Sequence, residues 1–257
     1  MLMPVMCTQC AEDLIANVGT IPTDGIPMEM RVVPVQTVGL YRTNCNRGHE
    51  IVMVADFQHF ELLFESAIEA FVDTYFRESV SSFAAALERF YEFAIQTLLV
   101  DRKVAIETIR AMWKPVSNQS ERQLGMFIGL YTAAHGRPPT LLPDNRISFR
   151  NNVIHKGHFP TPQETFDFGN SVYELLNLSL KELRENFEEA MQTARSIARQ
   201  AAFAQLKDGE SAITFGMGTT VSLTVLDEPP PMADAINAVA ARLRRQRNQE
   251  SVPMERA

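Results

Sequence analysis

The sequence predicts a mainly α-helical protein: a helical bundle over residues 57–206, preceded by a small β module (1–56) and followed by a short β-hairpin and C-terminal helix (207–257). Three observations carry this. Hydrophobic spacing changes from a period of two to a period of about 3.6 near residue 57. All three cysteines lie at or before Cys45. Proline-bearing stretches, GRPPTLLPDN and DEPPP, punctuate the remainder as loops.

A chain of 257 residues with 46% hydrophobic and 21% charged residues is ordinary for a globular protein with a sizeable core. It contains no uncharged apolar run long enough to span a bilayer. The opening MLMPVMCTQC lacks the basic region and long apolar stretch of a secretory leader, so a cytoplasmic protein is expected. The net charge of −7 argues against non-specific coating of nucleic acid, which needs many Lys and Arg, but leaves room for a local basic pocket.

In the β module, Met28 to Gln36 and His49 to Ala55 are β-rich, and Leu40 to Asn44 adds a short strand between them. Cys7-x-x-Cys10 and Cys45-Asn-Arg-Gly-His49 flank these segments. Two short-spaced pairs let two tight turns each present two ligands to a tetrahedral metal ion. Gly48 stands where such a turn needs positive φ or a close backbone approach. The expectation is a zinc ribbon holding one zinc ion on Cys7, Cys10, Cys45 and His49. With four protein ligands it has no open position, so its role is structural.

The helical elements follow in order. Phe60, Leu63, Phe64, Ala67, Ile68, Phe71 and Tyr75 form one apolar stripe, and Phe83, Leu87, Phe90, Ala94 and Leu98 a second, on a helix running to about Val100. Asp101 is placed to cap a third helix ended by Pro115. Ser120 to Ala134 reads as a fourth. A short helix then starts near Asp144 and must stop by Gly157 or Pro160. Thr161-Pro-Gln-Glu164 is a capping box, opening a long helical stretch to about Leu206 with a break near Asn177. Ser211 to Leu226 has β-branched residues around Gly216 and Gly218, consistent with a hairpin, and Met232 to Gln249 is a helix rich in arginine in its last turns. The GMG at Gly216 to Gly218 lacks a strand-to-helix context, so it is not a nucleotide loop.

The densest chemical constellation is SFRNNVIHKGHFP, Ser148 to Pro160. At about 100° per residue with Arg150 at zero, Asn151 lies near ~100° and His155 near ~140°, whereas Phe149 and Val153 lie on the other side at ~260° and ~300°. The apolar residues therefore anchor the helix while Asn151 and His155 share an outward face, with Arg150 within reach. A guanidinium beside an imidazole suits a phosphodiester: the fork binds phosphate and developing charge, and the imidazole exchanges protons near neutrality. No P-loop, G-x-S-x-G or second metal-spaced carboxylate cluster competes with it.

Arg150-Asn151-Asn152-Val153-Ile154-His155 resembles the R-N-x-x-x-H signature of the HEPN superfamily of all-α domains, many of them metal-independent ribonucleases of toxin, antiviral-defence and RNA-processing systems. Its setting between amphipathic helices and a long helix, and ALERFYEFAI at Ala86 to Ile95, are similar as well. The resemblance covers about residues 57–205. It implies a homodimer whose motif helices meet in one composite site that cleaves RNA by attack of the ribose 2′-hydroxyl. In it His155 is the general acid or base, Arg150 the phosphate and transition-state stabiliser, and Asn151 the residue that orients His155 or the phosphate. Lys156 and His158 lie outside the signature. The extension after 206 lies outside the minimal fold and is available to a protein partner. Two other readings stay open: a catalytically inactive HEPN-like module docking a partner protein or nucleic acid, and an unrelated helical scaffold in which the motif is only a polar helix end.

Overall fold

In the computed structural model, residues 1–18, 30–216, 218–224 and 228–250 are described. Their contacts divide them into two units, Met1–Phe57 with Arg195–Met217, and Gln58–Ala194 with Gly218–Ala257. The segment after residue 206 is thus shared between the units: its first part joins the small unit and its second part the helical one.

The first unit contains β1 (Leu2–Met6), α1 (Thr8–Val18), β2 (Met30–Pro34), β3 (Leu40–Asn44), β4 (Glu50–Ala55) and β5 (Ile213–Phe215). Two features differ from a simple ribbon. Of the stretch Met28 to Gln36, residues 28 and 29 lie outside the described residues, and β2 pairs antiparallel with β1, Leu2 opposite Pro34 and Met6 opposite Met30, rather than with the knuckle hairpin β3–β4. The Cys7-x-x-Cys10 pair sits at the N-terminus of α1, a helix that strand composition in the neighbouring residues concealed. The predicted hairpin over 211–226 is also corrected. Among the described residues it supplies one strand, β5, which adds in parallel to β4, Met53 opposite Ile213. Ala202, Leu40 and Val54 form a small core there, backed by Phe203 and Leu206.

The second unit contains α2 (His59–Val72), α3 (Phe76–Asp101), α4 (Ile106–Val116), α5 (Ser120–His135), α6 (Asp144–Lys156), most of α7 (Pro162–Phe203) and α8 (Met232–Glu250). The chain is mainly helical, and no helix among the described residues is long and apolar enough to cross a membrane. The stripe on α2 is buried as its spacing demands: Phe60, Phe64, Ala67 and Ile68 are fully covered. Phe60 meets Phe90 of α3 edge-on at 5.6 Å, and Phe64 meets Phe83 at 4.9 Å. Such pairs add to the area buried by the rings. Asp101 is the last residue of α3 instead of a cap; α4 starts after Ala105, whose extended backbone (ψ 141°) turns the chain, and Pro115 lies inside its last turn. The break in α7 falls at Phe187 (φ −141°, ψ 36°), ten residues beyond the position near Asn177. Met232 and Val239 of α8 are buried in the same core and Ala235 is buried beside them on that helix, so the apolar face of the C-terminal helix is used within the fold.

Candidate functional site

The motif helix α6 is held at both ends and along its inner face. Arg146 and Ile147 donate their backbone N–H groups to the carbonyl of Pro143 at the start. At the end Gly157 adopts φ +73°, and the Asn152 carbonyl accepts from the N–H groups of Gly157 and His158. A Cβ at Gly157 would meet nothing within 4 Å, so the left-handed backbone, not crowding, calls for glycine. Val153 is fully buried, and Phe149 packs on Phe168 of α7 at 5.7 Å. Thr161 and Glu164 form the reciprocal cap that starts α7: the Thr161 N–H donates to Oε2 of Glu164 (2.8 Å) and the Glu164 N–H to Oγ1 of Thr161 (3.2 Å).

On the opposite face the polar residues separate into three groups. Arg150 and Asn151 are joined: Nη1 of Arg150 donates to Oδ1 of Asn151 at 3.0 Å. Nη2 of Arg150 lies 3.7 Å from Oε1 of Glu88 on α3. His155, in the last turn, is exposed and has no hydrogen bond or ion pair among the described residues. His158 belongs elsewhere, 3.5 Å from Oε1 of Glu164 and edge-on to the Phe149 ring. The fold thus places Arg150, Asn151 and His155 on one short helix, brings the first two into contact and leaves the imidazole to solvent. Two neighbours went unread in the sequence, Glu88 and Tyr91. Burial first, and then Glu88, push the Tyr91 hydroxyl well above its ordinary pKa, so it stays protonated beside Arg150.

The other cluster is formed by Cys7, Cys10, Cys45 and His49, whose ligand atoms all lie within 4.8 Å of one another. Cys7 follows β1, Cys10 is in the first turn of α1, and Cys45 and His49 bracket the turn between β3 and β4. Gly48 in that turn has φ +87° and donates its N–H to the Cys45 carbonyl (3.0 Å). Nδ1 of His49 is 3.3 Å from Sγ of Cys10 and 3.7 Å from Sγ of Cys7, and Sγ of Cys10 is 3.7 Å from that of Cys45. The three thiols are buried. Burial, followed by the neighbouring sulfurs, pushes Cys10 up to about 12. Burial also acts to raise Cys45, but the backbone N–H groups of Arg47 and His49 outweigh it and lower the thiol. Three crowded sulfurs that resist joint ionisation become a good ligand set once a divalent cation is among them. The set is compatible with a structural metal site. Asp13 on α1 completes it: its Oδ2 lies 3.5 Å from Nε2 of His49, the arrangement that fixes a ligating imidazole. Its placement three residues beyond Cys10 becomes meaningful only once those residues are known to be helical.

Compared with protein-family models, with curated proteins and with solved structures, the chain matches none.

Proposed function

We propose that the helical unit is an endoribonuclease of HEPN type, acting as a homodimer through α6. One observation carries this: an arginine paired to an asparagine and a solvent-open histidine occupy a single short helix whose other face is sunk in the core. His155, exposed in the last turn of α6, is left available to a substrate. Arg150 is held only loosely by Glu88, so a phosphate can take the guanidinium fork and displace that carboxylate.

In the reaction, the ribose 2′-oxygen loses its proton to a neutral imidazole and forms a bond to the adjacent phosphorus. The bond from phosphorus to the 5′-oxygen breaks, and that oxygen takes a proton from an imidazolium. The products are a 2′,3′-cyclic phosphate and a 5′-hydroxyl. Two copies of His155 facing each other supply base and acid, Arg150 stabilises the charge that builds on the phosphoryl oxygens, and Asn151 orients Arg150 through its 3.0 Å bond. Because the chain is acidic overall, recognition rests on this local face and suits a looped or single-stranded substrate.

The Cys7, Cys10, Cys45 and His49 site is read as holding one structural zinc ion. A tetrahedral zinc with sulfur at about 2.3 Å and nitrogen at about 2.0 Å requires S···S edges of about 3.8 Å and S···N edges of about 3.5 Å. Three of the six separations, 3.7 Å between sulfurs and 3.3 and 3.7 Å from sulfur to nitrogen, lie near those edges, and all six fall within 4.8 Å.

The test is to incubate the full chain with total RNA, without added divalent metal, beside Arg150→Ala and His155→Ala. Cleavage with cyclic-phosphate ends is expected for the wild type, reduced by about a hundredfold or more in each variant. If wild type and variants leave RNA equally intact while all remain folded dimers, the enzyme reading fails and the non-catalytic binding module takes its place.

A further inference from the structure

A second binding feature lies in the helical unit, away from α6. Between α7 and residues 218–222 and 228–245 runs a cleft of about 1020 Å³, at the upper end of the roughly 300–1,000 Å³ typical of small-molecule sites. Its outer wall is fixed to the helices by hydrogen bonds. Thr220 donates its N–H and hydroxyl to Oε2 of Glu65, the Leu223 N–H donates to Oε1 of Glu61, and the Tyr173 hydroxyl donates to the Pro230 carbonyl.

Its charges are unevenly satisfied. Glu65 is saturated by Thr220 and by Arg242 at 2.6 Å, and Arg242 spends its other arm on Glu69. Lys181 faces Glu185 at 4.0 Å. Arg184 and Arg245 have no partner among the described residues, and Nε of Arg184 is fully buried without an acceptor. That buried nitrogen is out of a ligand's reach, so a ligand in the cleft meets the terminal Nη groups of Arg184. Leu178, 42% exposed, forms an apolar patch of the wall with Pro229, Pro230 and Val239, beside the polar Asn177, Ser222 and Glu228. Of the carboxylates that line the cleft, Glu65 is held by Thr220 and Arg242, Glu185 faces Lys181, and Glu228 is exposed.

We propose that this cleft binds an organic phosphate, its phosphate held by Arg184 and Arg245 and its planar or apolar body laid against Leu178 and the two prolines. Phosphate suits the arginine fork, and an inorganic ion would leave the apolar wall unused.

Isothermal titration of the full chain with ADP and with naphthyl phosphate tests this, against adenosine, naphthol and inorganic phosphate. At least one organic phosphate should bind, and both its dephosphorylated counterpart and inorganic phosphate should bind about tenfold more weakly or not at all. Arg184→Gln should weaken the phosphate ligand about tenfold or more, and Leu178→Asp, at an exposed position, should weaken it as well, with circular dichroism and melting unchanged. Absence of binding by both organic phosphates at millimolar concentration overturns the proposal. So does equal binding by wild type and Arg184→Gln, or inorganic phosphate binding as tightly as either organic one. RNA cleavage is not the readout, so the outcome is independent of the reading of α6.

Discussion

Nη1 of Arg242, on α8, donates to Oε1 of Glu65, on α2, at 2.6 Å, and the Glu65 side chain is only 1% exposed. The carboxylate's other oxygen takes both donors of Thr220. One buried acid therefore fastens both the 218–224 segment and the C-terminal helix to the bundle. Glu65→Ala leaves Arg242 and the Thr220 N–H without their acceptor and is expected to cost about 3 kcal/mol, as for removal of one member of a buried pair. Arg242→Ala should cost a similar amount by stranding the carboxylate. The double replacement Glu65→Leu with Arg242→Leu should recover only part of the loss, because the Thr220 N–H and hydroxyl still lack their acceptor. Urea unfolding midpoints decide it; a midpoint unmoved by Glu65→Ala would show that the pair contributes nothing.

Metal content gives a second prediction. Purified protein should carry about one zinc ion per chain, and Cys45→Ser and His49→Ala should each abolish stoichiometric retention. Asp13→Ala should keep the site but lower its affinity about tenfold, because only the orientation of the His49 ring is lost. Elemental analysis with competitive chelation measures both. Full zinc in Cys45→Ser and His49→Ala would remove the assignment.

Local signals carried most of the helical unit. The α2 stripe of Phe60, Phe64, Ala67 and Ile68, the stop at Gly157 and the cap of Thr161 with Glu164 each involve residues a few positions apart, where spacing and turn chemistry decide the outcome. What escaped the sequence depends on distant partners. β5 is a strand because β4 offers an edge more than 150 residues earlier. β2 turns to β1 although β3 is nearer in sequence. The kink at Phe187 has neither proline nor glycine to announce it. At the candidate sites the ligand and motif residues were legible, whereas Glu88, Tyr91 and Asp13 approach them only after the helices pack.

Glycine positions in helices test the packing directly. A Cβ at Gly169 of α7 would lie 2.6 Å from the Phe83 ring and 2.7 Å from Cε of Met232, and Phe83 is fully buried. Gly169→Ala should therefore destabilise by about 1–3 kcal/mol despite alanine's better helix propensity. At Gly125 and Gly129 of α5 an added Cβ meets nothing within 4 Å. There the same substitution should stabilise by about 0.5–1 kcal/mol each. Thermal melts of the three variants give opposite signs if the helices pack as described, and a stabilised Gly169→Ala would contradict the close approach of α7 to Phe83.

The carboxylate of Glu210 supplies a pH-dependent clamp within the first unit. Arg42 of β3 donates to it twice, at 2.7 Å each, and the Lys207 N–H adds a third bond at 2.8 Å. The Arg42 bonds first, then the Lys207 backbone, lower its pKa from 4.5 to about 2. A carboxyl depressed by folding binds its proton more weakly in the native state than in the unfolded chain. Its stabilisation is therefore complete above about pH 4.5 and disappears as pH falls through about 2. The stability difference between wild type and Glu210→Gln should be constant at neutral pH, shrink across that window and vanish below it. Unfolding at stepped pH, with an NMR titration of the Glu210 carboxyl, measures both quantities. A titration midpoint near 4.5 would mean that Arg42 does not hold the carboxylate in solution, and the acid-labile clamp between β3 and the 207–210 turn would have to be abandoned.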